Sequence, residues 1–275
     1  MAYKDLLVHL DDAATSASRV TLACELARSH DAHLVGVYVE PPLPSMLFPG
    51  DLPAAELIES ELAEAARRRE AARVLLEQAA QSAGIRHEWR HLDDGRVHAL
   101  AISARYCDLV ITGRREDGDP DSVVDVAQDI ALGGGRPALV VPRGFSGTPG
   151  RSVLVAWNAS REAVRAVHDA LPLLERAEQV RVLSVDAGVG GDGHGPLPGA
   201  DICAHLARHD VTAEALEAQT HGERVPELII ERAREFGADL IVMGVYGHSR
   251  LRELVLGGVS RHLLRHTAVP LLISH

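Results

Sequence analysis

A doubly wound α/β protein, written twice in one chain, is what the sequence predicts, and three observations predict it. Short apolar runs such as "ALVV" and "LIVM" are hydrophobic at every position, as strands covered on both faces should be. These runs alternate with segments of helical periodicity, and strand–helix–strand order implies crossovers and a parallel sheet. The chain also repeats itself. "YKDLLVHLDDAATSASRVTLACELA" aligns with "GRSVLVAWNASREAVRAVHDALPLL", which sets Asp11 against Asn158. "CDLVITG" (107–113) aligns with "ADLIVMG" (238–244), and "GGGRPALVVP" with "HTAVPLLIS". A length of 275 residues suffices for two cores of ordinary size. The expected organisation is two domains, 1–145 and 149–275, joined by the linker-like "PRGFSGTPGR". Each is expected to be a five-stranded parallel sheet of flavodoxin-like order, the two packed as a pseudo-dimer.

In the first copy, strands are expected at Asp5–Leu10, His33–Val39, Ile85–His91, Asp108–Thr112 and Ala138–Val141. Helices fit Thr15–Ser29, Ala54–Ala83 and Arg96–Arg105. The second copy gives strands Ser152–Trp157, Val180–Val185, Val211–Leu216, Asp239–Met243 and Val269–Ile273. Its helices are Arg161–Leu174, Ala200–His209, Val225–Phe236 and a short one opened by Gly257-Gly258-Val259-Ser260. Ala54–Ala83 ends at Gly84, a residue type favoured just past a helix, and its "RRRE" run reads as a solvated face. "DAGVGGDGHGPLPG" reads as a surface loop. The last strand of each copy is apolar and falls at a sheet edge, so it must be covered or paired.

Composition narrows the function. No apolar run is long enough to span a bilayer, and "MAYKDLLVHLDD" meets acid too early for a signal peptide, so a cytoplasmic location is expected. Cys24, Cys107 and Cys203 are scattered and odd in number, which indicates buried thiols rather than a disulfide framework or zinc ribbon. A net charge of −11 with no basic stripe argues against nucleic acid. Residues 1–147 carry 15 basic and 23 acidic groups against 13 and 16 in the remainder, so the second half is the less hostile to an anion. Lys4 is the only lysine and no G-x4-G-K-[ST] occurs, which excludes a P-loop NTPase.

Ligands of a doubly wound sheet sit beyond the carboxyl ends of its strands, where the winding reverses. In the second copy that crevice receives Asn158 from the first strand and Met243-Gly244 from the fourth. Gly244 and Gly247 permit positive φ and close backbone approach, so successive N–H groups can face one anion. Gly257, Gly258, Val259 and Ser260 add a helix N-terminus, which favours negative charge. The pattern describes a phosphate cradle, and Asn158 offers a donor and an acceptor to a base or ribose.

Gly-x2-Gly-x9-Gly followed by a small residue, valine and serine resembles the ATP-binding signature of the universal stress proteins, and both halves share the likeness. The resemblance implies tandem domains that act in the stress response. It places adenine near the end of strand one and phosphates on the glycine loop. It would put Asn158, Met243, Gly244, Gly247, His248, Gly257, Gly258, Val259 and Ser260 around ATP, taken with or without Mg²⁺, and Val185 beside them. An adenine nucleotide, ATP or AMP, is the expected ligand. A protein partner and a homodimer remain open, with no membrane and no nucleic acid expected. The chain departs from the family pattern at Asn158, where aspartate is usual, and at Gly258, where serine or threonine is usual. In the first copy Asp11 remains, but Glu116, Asp117, Asp119, Asp121 and Asp125 stand where phosphates would lie, so no ATP is expected there.

Other chemistry finds less support. His205 and His209 stand at i and i+4 with Cys203 nearby, and His87 and His91 share a strand face, but sequence spacing supplies no third ligand. No metal is therefore expected. His248 offers a cation to a phosphate. No G-x-S-x-G, H-E-x-x-H or EF-hand spacing occurs, and no catalytic residue is assigned. The leading expectation is a nucleotide-binding regulatory protein. The alternatives are a slow ATP-cleaving or nucleotidyl-transfer enzyme and a ligand-free interaction module.

Overall fold

A computed structural model describes residues 2–11, 13–40, 55–92, 97–114, 126–187, 199–245 and 258–275. The first half runs β1 (Asp5–Leu10), α1 (Ala13–His30), β2 (His33–Val39), α2 (Ala55–Ala83), β3 (His87–Leu92), α3 (Val97–Ala104), β4 (Leu109–Gly113), α4 (Val126–Asp129) and β5 (Ala138–Val141). The second runs β6 (Ser152–Ala156), α5 (Arg161–Leu174), β7 (Gln179–Val185), α6 (Ala200–Ala207), β8 (Ala213–Ala218), α7 (Val225–Phe236), β9 (Leu240–Gly244), α8 (Gly258–His266) and β10 (Leu271–Ser274).

The strands form one ten-stranded sheet in the order β3-β2-β1-β4-β5-β10-β9-β6-β7-β8. Each half is parallel, with its first and fourth strands adjacent, and among the described residues the one antiparallel junction is β5 with β10. There Leu271 faces Val140, Leu272 faces Leu139 and Ile273 faces Ala138. Pairing the two apolar edges removes what would otherwise be an open template for aggregation.

Alternate residues of each strand enter opposite faces, as the period of two requires. Leu6, Val8 and Leu10 pack with Leu22, Leu76, Leu171 and Leu206 under α1, α2, α5 and α6. Leu7, Val35 and Val110 pack with Leu100, Ile130, Leu228 and Leu263 under α3, α4, α7 and α8. Each apolar layer runs through both halves. The "RRRE" run of α2 is only half solvated: Arg67 and Glu70 are exposed and pair with Glu64 and Arg73, whereas Arg69 is half-buried and reaches Glu40 at 3.2 Å.

One device appears twice. The Asp108 carboxylate accepts from the N–H groups of Lys4 and Asp5, and Asp239 accepts from Gly150, Arg151 and Ser152. Each ties the entry of β1 or β6 to the entry of its neighbour. Several segments differ from expectation: β3 and β10 each start two residues later than Ile85 and Val269. Strand β8 starts two residues later than Val211, because the Val211 N–H closes α6 by donating to Leu206. Helix α4 continues as a wide turn over Ile130–Gly134 and ends at Gly135 with φ 64°, an element the sequence pattern does not announce.

Candidate functional site

Register brings the carboxyl ends of three strands side by side: Ala156 of β6 faces Met243 of β9 and Leu183 of β7. Asn158 follows β6 and is exposed. Its Oδ1 accepts from the Ser160 N–H at 3.2 Å, while Ser160 Oγ caps α5 by accepting from Ala163 N at 3.2 Å. The asparagine oxygen thus holds the turn. Met243 is buried in the apolar layer against which the partly buried Ala156, Val185 and Val259 also pack. Gly258 opens α8 at the surface, Val259 is half-buried, and Ser260 is buried behind it. Gly247, His248 and Gly257 lie outside the described residues.

Gly244 has a different use from the one expected. Its φ is not positive; it closes β9. A Cβ on it would lie 2.4 Å from Ala163 N and 2.4 Å from Glu162 C, so its missing side chain admits the first turn of α5 against the sheet. Nearby carboxylates are engaged. Glu162 is buried and pairs with Arg161 at 3.0 Å. Burial alone would raise its pKa, but backbone N–H and Arg161 contacts outweigh that and lower it. Asp186 accepts from the Thr220 N–H and hydroxyl at 3.0 and 2.9 Å.

The equivalent crevice of the first half is filled by its own side chains. Arg19 is 4% exposed and reaches Asp11 Oδ1 at 2.8 Å and Ser16 Oγ at 2.9 Å. Ser16 and Thr15 donate to the same Asp11 oxygen at 2.6 and 2.9 Å. The guanidinium occupies the space beside Gly113, where an added Cβ would stand 1.9 Å from Nη1. Burial opposes ionisation of Asp11, yet Arg19 and the hydroxyls hold its carboxyl well below the usual range. Burial, with the Arg19 charge, pushes buried His9 down to about 4, and Thr112 Oγ1 lies 3.5 Å from its Nδ1.

The repeat alignment that pairs Asp11 with Asn158 also pairs His9, Ser16 and Arg19 with Ala156, Ala163 and Ala166. Three polar side chains that fill the first crevice are thus alanines in the second. Sequence reading passed over this exchange, although positions 16 and 19 share one face of the first helix and the alignment displays it. The acids Glu116, Asp117, Asp119, Asp121 and Asp125 lie outside the described residues.

Comparison with known proteins agrees with the duplication. The family model described as the universal stress protein family matches residues 2–142 and 150–275. A universal stress protein of Archaeoglobus fulgidus DSM 4304 superposes with a TM-score of 0.75 at 16% identity, covering 98% of this chain and 95% of that one. A structure described as a putative universal stress protein, from Pseudomonas aeruginosa UCBPP-PA14, gives 0.57 at 14% identity over 99% and 93%. A universal stress protein of a Synechocystis species is 37% identical over 57 residues, 21% of this chain and 20% of that protein. The match therefore spans about a fifth of that relative's length.

Proposed function

The chain belongs to the universal stress protein family, and from that premise we propose that it is a regulatory protein of the stress response that holds one adenine nucleotide, in its second half. The exchange of His9, Ser16 and Arg19 for Ala156, Ala163 and Ala166 carries the reading, since it fills the first crevice with polar side chains that the second one lacks. The residues left in the second crevice fit the ligand. Asn158 presents its amide to solvent, Met243, Val185 and Val259 supply apolar contact, and Gly258 offers unobstructed backbone at the start of α8. The first half serves as the paired scaffold.

Calorimetry of the full chain with Mg-ATP, with mass spectrometry of nucleotide retained through gentle purification, tests this. We expect a stoichiometry near one. A value near two overturns the account of the filled crevice, and neither heat nor retained nucleotide favours a ligand-free interaction module. Turnover separates regulator from enzyme. Phosphoryl transfer needs positioned cations, and Glu162 and Asp186 are already engaged. Hydrolysis on the order of one per second, the low end for ordinary enzymes, would establish the enzymatic reading instead.

A further inference from the structure

Helix α8 is 9 residues long, too short to hold its shape in water by itself, so its contacts must hold it. Ser260, Leu263 and Leu264 are its buried side chains. Its carboxyl end has a further anchor. Thr267, just past the helix and 2% exposed, still donates its N–H to the Leu263 carbonyl at 3.1 Å. The Thr267 carbonyl is therefore one of those that a helix end leaves without an intrahelical partner. Arg114 Nη1 donates to it. A guanidinium is also the charge that the negative end of the helix dipole favours.

This anchor comes from the other half of the molecule. Arg114 follows Gly113, the last residue of β4, and its N–H donates to the Val141 carbonyl at 2.9 Å. Leu271, the first residue of β10, faces Val140 near the end of β5. The carboxyl end of the first half's sheet thus lies beside the segment that leaves α8. The aligned residue of the second half is Val245. Its N–H makes the same bond, to the Ser274 carbonyl at 2.9 Å, but its side chain is fully buried in the apolar layer. The turn that corresponds to the end of α8 closes on Gly135 at φ 64°, the left-handed stop that satisfies a helix end locally. At these paired positions the exchange is one-sided: the half with the filled crevice lends a cation to a helix of the other and receives a valine.

We propose that Arg114 is a positioning residue for the second crevice, fixing α8 from its carboxyl end so that the N–H groups at Gly258 stay aimed at the nucleotide phosphates. The proposal rests on the nucleotide reading above. The two ends of α8 are only about 13 Å apart at 1.5 Å per residue. Helix formation is cooperative, so loosening the last turn of so short a helix loosens the first.

The test compares the full chain with Arg114→Met, which keeps the stem and deletes the donor, by hydrogen exchange without nucleotide and by calorimetry with Mg-ATP. Amides of residues 262–267 should exchange about fivefold faster, and ATP should bind about fivefold more weakly. Arg114→Lys keeps a cationic donor and should recover part of both losses. Arg176→Met breaks a different contact between the halves, with the Ser29 carbonyl, and should leave both readouts as in the parent chain. Unchanged exchange at α8 in Arg114→Met overturns the anchor, as does an Arg114→Lys chain no better than Arg114→Met. Faster exchange with undiminished ATP affinity, or an equal effect from Arg176→Met, overturns the positioning role. A parent chain that binds no ATP sinks the nucleotide reading and that role with it, while the exchange comparison still decides whether Arg114 holds α8.

Discussion

Gly258 opens α8 without a positive φ, and a Cβ built there would touch nothing within 4 Å. Serine therefore fits at no steric cost and pre-orders the turn. In the proposed complex its hydroxyl would donate to a phosphate oxygen. A hydrogen bond to a charged acceptor contributes about 1.5–3 kcal/mol before ordering and displaced water are counted. Gly258→Ser should raise ATP affinity a few-fold to tenfold, about 1 kcal/mol, in a titration beside the parent chain. Unchanged affinity with an intact fold would mean that phosphates do not lie on this turn. Arg19 makes the opposite case. Its partner Asp11 is 49% exposed, so Arg19→Ala leaves a carboxylate that water can serve and a void beside Gly113. We expect a loss of about 1–3 kcal/mol of stability, the discounted cost of breaking a half-exposed pair and opening a cavity. Chemical denaturation would read it, and no loss at all would show that Arg19 does not hold the crevice.

Helices and strands meet differently in the two halves. Beside Gly244 the obstacle to a side chain is the backbone of Glu162 and Ala163; beside Gly113 it is the end of the Arg19 side chain. Backbone cannot step aside cheaply, whereas a guanidinium can. Gly244→Ala should cost roughly 3 kcal/mol or more by lifting α5 off the sheet, and Gly113→Ala less than half of that. Equal losses in paired urea melts would refute the distinction. Much at this scale was legible in the sequence. Helix α5 is bounded as expected because Ser160 caps it and its apolar face is periodic, and α7 stops at Gly237, φ 68°. Strands β1, β2 and β5 coincide with their apolar runs. What stayed hidden was set by distant contacts: the turn Ile130–Gly134 packs on α3, and His168 meets His205 across two helices. The glycine spacing drew the expectation to the second crevice, whereas only tertiary packing shows Arg19 filling the first.

The whole molecule is one sheet joined by β5 and β10. Separately expressed halves should self-associate or aggregate through those exposed apolar edges, and two well-behaved monomers in sedimentation would contradict this. Side chains seal the seam on one face. Tyr3 OH donates to the Asp169 carbonyl at 2.8 Å and Arg176 Nη1 to the Ser29 carbonyl at 2.7 Å. Between them His30 is 3% exposed, 5.0 Å from the Tyr3 ring, with neither ring nitrogen hydrogen-bonded. Burial first, and then the Arg176 charge, pushes its pKa down from 6.5 to about 4. Below pH 6.5 the unfolded chain takes up a proton that the folded chain refuses until about pH 4, so stability falls with pH across that window. The loss from this residue is at most about 3 kcal/mol. His9, likewise near 4, adds a slope of the same sign. Asp11, whose carboxyl is depressed, stabilises above the ordinary carboxylate range and loses that effect only at lower pH. The difference between the parent chain and His30→Phe therefore isolates the seam. Phenylalanine keeps the ring against Tyr3 and cannot be protonated. Unfolding free energies measured from pH 7 to 4 should fall less steeply for His30→Phe, with the two curves diverging below pH 6.5. Parallel curves would show that His30 carries no proton linkage between the halves.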